Sequence, residues 1–288
     1  MRLGVFGHRF RKGDFLIRGV LSPFVGAALL LATKAALSAP QTESSNHPAT
    51  SLTAQASDPT APLLQLQVTN FYAPVNYNGE GYANLLQAQP IIPVPRSSGF
   101  PIAQVMRLTV PMVTTPGPGG ITGLGDISYF DVFVPKVRPK SVWGAGASLV
   151  IPSAPSEALG SGKWQLGPAF TGMYYGVPGW QLGIVVQNPV SIAGDPDRAA
   201  INALLIQPII NYLVGSWYLG IGDFTWQVDW TESGAATIPL GFQVGRITKI
   251  GSHQYNLSVE LEYTAVHVEG ATFPKWGVRF GVVLLLPE

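Results

Sequence analysis

The sequence predicts an all-β protein: a transmembrane antiparallel up-and-down β-barrel of about 12 strands, preceded by a signal peptide and a disordered linker. Three observations predict this class. Apolar and polar residues alternate with a period of two over most of the chain. The chain is 47% hydrophobic but only 11% charged, whereas soluble domains are typically about 25% charged. The N-terminus has basic, apolar and small residues in the order of an export signal.

Residues 1–39 have the three regions of a secretory signal peptide. Basic side chains are concentrated in residues 1–18, an apolar run extends from Gly19 to Ala32, and small residues follow as far as Ala39. The run of about 14 residues is shorter than the roughly 20 that an uncleaved membrane anchor requires. Pro40 disfavours cleavage directly after Ala39, so the cleavage site stays open.

Residues 40–62 are rich in Ser, Thr, Pro and Ala and contain almost no bulky apolar side chain. A segment of this composition buries too little apolar surface to offset the entropy lost on ordering. The sequence therefore predicts a disordered linker at 40–62, followed by the barrel at 63–288.

Strict alternation marks the strands from residue 63 onward. In 255–265, Tyr255, Leu257, Val259, Leu261 and Tyr263 share one face, and the residues between them are polar or small. The same pattern predicts strands at 64–72, 82–94, 102–112, 124–134, 142–152, 163–175, 180–190, 201–213, 217–229, 235–247, 254–267 and 276–286. The strand at 64–72 has the weakest pattern.

Short turns such as 177–179 alternate with longer Pro/Gly-rich loops such as 113–123 and 153–162, as in outer-membrane barrels. A soluble β-sandwich also shows one-sided alternation. Three features favour the barrel: the polar faces carry amides and hydroxyls instead of charges, aromatic residues recur near strand ends, and the strands exceed the usual 5–6 or so residues.

Five runs are distinctive: QPIIP at 89–93, GLGDI at 123–127, LGSGKW at 159–164, AGDPDR at 193–198 and LIQPIINY at 205–212. They resemble a bacterial family of outer-membrane β-barrel transporters, sometimes mislabelled "neuromedin U" and related to the outer-membrane proteins of phenol-degradation pathways. The resemblance covers roughly residues 60–288. It implies a barrel with a transport role and brings no substrate or catalytic residue. Asp131 departs from it, because it falls on the face predicted to meet lipid.

Composition and motifs argue against enzymes and cofactor binding. The chain has no cysteine and a net charge of +1, which excludes thiolate chemistry and argues against a basic nucleic-acid groove. Gly160–Lys163 is followed by Trp164 and a predicted strand instead of the Ser or Thr and helix of a phosphate-binding loop. Asp195 and Asp197 are too few carboxylates for a dedicated calcium site. We therefore expect no catalytic residue, metal or cofactor.

The polar strand faces supply the candidate functional residues. If the bulky faces meet lipid, the pore-lining candidates are Arg107, Asp126, Gln207, Asn211, Asp223, Gln227, Asp229, Gln243, Glu260, Glu262 and Arg279. Glu260 and Glu262 on the penultimate strand lie across from Arg279 on the last. They either form a structural ion pair, which we favour, or a charged constriction.

The sequence thus predicts an exported barrel of the bacterial outer membrane that passes small solutes passively. The expected partners are outer-membrane lipid, a small-molecule solute and, during biogenesis, the barrel-assembly machinery; no nucleic acid is expected. Lumen amides suggest polar solutes, whereas the family resemblance implies small hydrophobic or aromatic compounds. A non-conducting structural or adhesion-type barrel is the alternative, and an outer-membrane hydrolase is a more distant one.

Overall fold

The protein forms a closed 12-stranded antiparallel β-barrel, as the sequence predicts. The structure is a computed structural model and describes residues 47–49, 51–97, 100–117, 119–222 and 224–287. The predicted signal peptide therefore lies outside the described residues. No helix within those ranges is long and apolar enough to cross a membrane.

Among the described residues, one short helix precedes the strands. The elements are α1 (Leu52–Ala56), β1 (Leu64–Tyr77), β2 (Ala83–Val94), β3 (Ala103–Thr114), β4 (Thr122–Leu124), β5 (Ile127–Arg138), β6 (Ser141–Ile151), β7 (Lys163–Tyr174), β8 (Trp180–Gln187), β9 (Val190–Gly194), β10 (Ala203–Val214), β11 (Trp217–Ile221), β12 (Trp226–Asp229), β13 (Ala235–Ile250), β14 (His253–Val266) and β15 (Phe273–Leu286).

The segments β1 to β15 form 12 barrel strands, because three of the barrel strands are each interrupted once. β4 and β5 both pair with β3, β8 and β9 both pair with β7, and β11 and β12 both pair with β10 and β13. The predicted strand at 64–72 extends to Tyr77 as β1, and its pairing with β15, from Leu64 with Leu286, closes the barrel. Closure leaves no unpaired sheet edge.

The predicted faces are confirmed on β14 and β15. Leu261 and Phe280 point outward and are 59% and 52% exposed, whereas Glu260 and Arg279 point inward and are 1% and 8% exposed. Exposed Leu, Val, Phe and Trp side chains continue around the wall. A continuous outward apolar band is what a membrane-spanning barrel presents to lipid.

The two barrel ends differ in their connections. Turns at 139–140, 215–216 and 251–252 join strands at the end where β1 begins and β15 finishes, the short-turn end. Loops such as 152–162 and 195–202 lie at the opposite, long-loop end. In outer-membrane barrels the short turns are periplasmic and the longer loops extracellular.

The structure differs from the predicted disordered linker: residues 51–62 are folded and lie inside the short-turn end. Ser51 caps α1 by accepting a hydrogen bond from the Ala54 amide at 3.1 Å. Ala56, Ala61 and Leu63 pack against residues of β13 and β15, namely Ile247, Val283 and Leu285. Composition alone does not predict this folded segment, because its small alanine side chains fill space against the barrel wall.

This segment, which we call the floor segment (51–62), crosses the lumen. One side of it contacts β13 and β15, while the other is hydrogen-bonded to β8 and the β10–β11 turn. β8 and β15 lie on nearly opposite sides of the strand order around the barrel. The floor segment therefore spans the short-turn opening.

Candidate functional site

An internal cavity of about 420 Å³ lies above the floor segment. Its base includes Ala56, Ser57, Asp58 and Pro59. Amide side chains from strands around the barrel line its wall, namely Gln65, Gln67, Gln87, Gln89, Gln187, Gln207, Asn211, Gln243 and Asn256. They face inward because alternate residues of each strand point to the lumen.

A second cavity of about 530 Å³ adjoins the first and is lined by residues nearer the long-loop end. Gln87, Thr225 and Arg279 line both cavities. The second cavity also has apolar lining residues, among them Phe71 and Phe273. The lining residues of the two cavities together extend from the long-loop end of the lumen to the floor segment.

The structure brings most of the predicted pore-lining residues together. The first cavity is lined by Arg107, Asp126, Gln207, Asn211, Gln243 and Arg279, and the second by Gln227, Glu262 and Arg279. Glu260 is buried on β14, opposite Gln243 and Arg279 in the strand register.

Two predicted residues are not part of this group. Asp229 ends β12, and its carboxylate accepts hydrogen bonds from the Thr231 amide at 2.9 Å and hydroxyl at 2.6 Å, so it stabilises a turn. Asp223 lies outside the described residues.

Arg279 and Glu262 form a buried ion pair, the pairing that the sequence favours. Nε and Nη2 of Arg279 donate to Oε1 of Glu262 at 2.8 and 2.7 Å, and both side chains are about nine-tenths buried. The guanidinium also lies 5.0 Å from the centre of the Phe71 ring. Removing one partner of such a pair is costly, because the other charge stays buried without compensation.

Arg107 marks the boundary between a polar and an apolar part of the lumen. Its guanidinium lies 5.0 Å from the centre of the Phe130 ring. Phe130 belongs to a buried cluster of inward residues, the apolar wall: Ile91, Val105, Phe130, Val132, Val134, Val142, Ala169, Met173, Val185 and Ile209. Four of these, Ile91, Phe130, Val185 and Ile209, also line the first cavity.

The apolar wall is not among the predicted pore-lining residues, which are all polar or charged. Val132 and Val134 face inward and are 0% and 3% exposed. The available signal was the run 129–134, which is apolar on both faces except for Asp131.

Asp131 lies on the outward face, as predicted. It accepts hydrogen bonds from Nε2 of Gln104 at 2.8 Å and from the Tyr129 hydroxyl at 3.2 Å. These neighbours supply the polar partners that a carboxylate needs on a lipid-facing wall.

Asp126 has a second role that sequence reasoning missed, because it holds the loop at 152–162. Its carboxylate accepts hydrogen bonds from the Ser161 amide at 2.6 Å, the Ser161 hydroxyl at 2.7 Å and the Ala154 amide at 3.2 Å. A Cβ at Gly160 would approach the carboxylate to 2.4 Å, so the loop passes too closely for a side chain there. Asp126 thus joins the cavity to a long loop.

A buried polar cluster anchors the floor segment. Asp58 accepts hydrogen bonds from the Thr60 amide at 2.7 Å and hydroxyl at 2.6 Å, and from the Tyr175 hydroxyl in the β7–β8 turn. Nε2 of His47 lies 3.4 Å from Oδ2 of Asp58. Gln181 of β8 donates to the Ala54 carbonyl at 2.8 Å and accepts from the Ser57 hydroxyl at 2.7 Å.

Burial shifts two of these groups. It raises the pKa of the Tyr175 hydroxyl, with the neighbouring Asp58 carboxylate acting in the same direction. Burial lowers the pKa of His47 below its ordinary value of 6.5, although Asp58 opposes the shift. His47 is therefore held mainly neutral at neutral pH.

We expect docking of the floor segment to weaken as the pH falls below about 6.5. The released His47 binds a proton there that the docked side chain resists, so protonation favours release until the docked His47 also titrates. Hydrogen exchange of residues 51–62 at pH 7.5 and pH 5.5, chosen roughly one unit either side of 6.5, would measure this. His47→Gln is the control and should lower the pH dependence; equal dependence in both proteins would contradict the assignment.

The described residues contain no group of three or more His, Asp or Glu side chains that could hold a metal ion. Asp195 and Asp197, considered above for calcium, lie in the loop after β9, where Oδ1 of Asp195 accepts from the Asp197 amide at 3.0 Å. In the floor segment, the Thr60 hydroxyl donates a hydrogen bond to Asp58. One nitrogen of His47, Nε2, lies 3.4 Å from both the Thr60 hydroxyl and the Asp58 carboxylate. A hydrolytic relay requires a histidine between carboxylate and hydroxyl, using both ring nitrogens.

Comparisons with known proteins agree with the barrel. No family model matches the sequence, and no curated protein matches it. Among solved structures, an outer membrane channel from Pseudomonas putida F1 is similar with a TM-score of 0.58 and 12% identity, over 80% of this chain and 98% of that one. The NanC porin (TM-score 0.49, 10% identity, 77% of this chain and 100% of that one) and the KdgM porin in complex with disordered oligogalacturonate (0.41, 10%, 78% and 99%) are also similar. At these identities the likeness concerns the fold alone.

Proposed function

We propose that the protein is an outer-membrane channel for the passive uptake of small solutes, and that these are small hydrophobic or aromatic compounds. The observation that carries the proposal is a lumen with two adjoining cavities whose base meets the apolar wall. A solute leaving the amide-lined cavity towards the short-turn end meets Phe130, Val185 and Ile209. Apolar surface there favours an apolar solute over a strongly hydrated one.

Four further features support this function. The Pseudomonas putida channel has the same fold, and the sequence resembles a transporter family of the outer membrane. The outward band of exposed aliphatic and aromatic residues suits a lipid environment. Twelve strands enclose a lumen wider than that of the side-chain-filled eight-stranded barrels, yet narrower than that of the large porins.

The floor segment favours a second candidate, a barrel without conductance that has a structural role. The segment spans the short-turn opening and is held there by buried hydrogen bonds. Under the channel proposal it must move or leave a narrow path beside it. Solute entry into vesicles therefore separates the two candidates.

Liposomes containing the protein should admit small aromatic solutes faster than protein-free liposomes. Ile209→Gln places an amide on the apolar wall of the cavity and should slow entry of an aromatic solute severalfold, with little effect on a small sugar. Ile210→Gln is the matched control, because Ile210 is the next residue on β10 and is 40% exposed on the outer face. Folding of both variants is checked by heat-modifiable gel migration.

Entry no faster than in protein-free liposomes would overturn the channel proposal and favour the structural barrel. Equal effects of the two variants on the aromatic solute would refute a role of the apolar wall while leaving the channel itself in place.

A further inference from the structure

Charge is distributed unequally between the two barrel ends. The connections at the long-loop end contain six acidic residues, Glu80, Glu157, Asp195, Asp197, Glu232 and Glu269, and one basic residue, Arg198, with Lys163 and Lys275 nearby on strand ends. The connections at the short-turn end contain no Asp or Glu in the sequence; they contain Arg96 and Lys140, and three further basic residues, Lys136, Arg138 and Lys249, lie close to them on strand ends. An anionic ligand is therefore attracted to the short-turn end and repelled from the other.

Four of these basic residues lie together on one side of the barrel wall: Arg96, Lys136, Arg138 and Lys140. We call them the basic cluster. Lys136 and Arg138 are consecutive outward positions at the end of β5, and Lys140 follows in the β5–β6 turn. Nη2 of Arg96 donates to the Pro135 carbonyl at 2.9 Å, which places this guanidinium beside Lys136. All four side chains are exposed.

An apolar groove rises from the basic cluster along the outer face of β6. Ala145 forms its base and pairs in register with Phe133 of β5 on one side and Phe170 of β7 on the other. Trp143, the cross-strand partner of Lys136, lies directly below and stacks on Phe170 with ring centroids 6.4 Å apart. Phe133, Trp143 and Phe170 are 37%, 41% and 41% exposed. Ala145 is therefore a small outward side chain flanked by aromatic rings.

We infer that this surface binds an anionic phospholipid, with its phosphate on the basic cluster and one acyl chain over Ala145. Each part of the surface matches a part of that molecule. Basic residues beside a membrane attract anionic headgroups, and aromatic rings occupy the interfacial level of a barrel. Above them Ala145 and Ala147 continue along β6, and the Asp131 carboxylate beside Ala147 is engaged by Gln104 and Tyr129. A free anion would use the charges but not the groove.

The inference does not depend on solute transport. Its test uses the full-length protein in phosphatidylcholine vesicles containing a small fraction of brominated phosphatidylglycerol, whose bromines quench nearby tryptophans. The difference in quenching between wild type and Trp143→Phe isolates Trp143. We expect this residue to be quenched more strongly by brominated phosphatidylglycerol than by brominated phosphatidylcholine, with an apparent preference of about fivefold or more, since each basic side chain near a membrane surface contributes about that factor.

Substituting Arg96, Lys136, Arg138 and Lys140 with Gln should abolish the preference. Arg246→Gln with Lys249→Gln is the matched control, because both residues are exposed at the same end of the barrel on β13. Ala145→Leu should fill the groove and lower Trp143 quenching without removing charge.

Three outcomes would overturn the inference: equal quenching of Trp143 by the two brominated lipids in the wild type, an equal loss in the control, or loss of the preference on addition of inorganic phosphate. The last would assign the basic cluster to a free anion instead of a lipid.

Discussion

Deletion of residues 47–61 should raise the conductance of the barrel in planar bilayers severalfold. These residues form the base of the cavity and span the short-turn opening. The barrel itself should remain closed, because β1 begins at Leu64 and its full pairing with β15 and β2 is retained. Leu63 stays in place to cover the apolar side chains of β13 and β15.

Deletion of residues 40–46 is the control for this experiment, since it shortens the same end of the chain but keeps every contact described for the floor segment. Asp58→Asn is a milder variant. It keeps acceptor and donor atoms but removes the charge that Tyr175 and Thr60 contact, so its conductance should lie between those of wild type and deletion. An unchanged conductance after deletion of 47–61 would show that the ion path is blocked elsewhere.

Most of the barrel could be predicted from the sequence because period-two alternation is a local signal. Each strand displays its two faces in its own residues, and β14 and β15 carried their pattern directly into the structure. The interruptions within strands were harder to predict from the sequence. The predicted strand at 180–190 divides at Asn188 and Pro189, where proline lacks the amide that a ladder needs. The predicted strand at 217–229 divides between Ile221 and Trp226.

The floor segment could not be predicted because its stability comes from residues far away in the chain. Taken alone, 40–62 has too little apolar surface to fold. Within the barrel, Ala54 and Ala56 are 5% exposed, and Asp58 is satisfied by Tyr175, which lies 117 positions later. No local sequence pattern in 40–62 indicates that the distant β7–β8 turn supplies the Tyr175 hydroxyl.

The candidate site shows the same limit. The alternation of faces along each strand predicts that Arg107, Gln207, Asn211, Gln243 and Arg279 face the lumen, and these residues line the first cavity. The alternation of faces does not reveal what an inward side chain contacts. It therefore does not predict that Asp126 binds the loop at 152–162 or that Asp229 stabilises a turn. The apolar wall was missed for a related reason, since inward valines look like lipid-facing ones when both faces of a strand are apolar.

Glu262→Ala should destabilise the folded barrel by about 1.5–3 kcal/mol, because it removes hydrogen bonds to a charged group, while Glu260 keeps a buried carboxylate opposite Arg279 in the strand register. Arg279 is only 8% exposed, and two of its nitrogens lie within 2.8 Å of the Glu262 carboxylate. Its contact with Phe71 does not replace the lost negative charge. Urea unfolding in lipid vesicles, followed by heat-modifiable gel migration, measures the free energy of unfolding.

Three variants distinguish the buried charge from a loss of packing. Glu262→Gln keeps an oxygen acceptor for Arg279 and should cost less than Glu262→Ala. The triple variant Glu260→Gln, Glu262→Leu and Arg279→Met removes the ion pair together with the buried Glu260 carboxylate that lies opposite Arg279. It should recover most of the stability, because apolar pairs of similar volume often replace buried ion pairs with little cost. Glu269→Ala, in the loop between β14 and β15, should change the free energy of unfolding by less than about 0.5 kcal/mol. A triple variant as unstable as Glu262→Ala would show that these side chains contribute shape, not charge compensation, to the lumen.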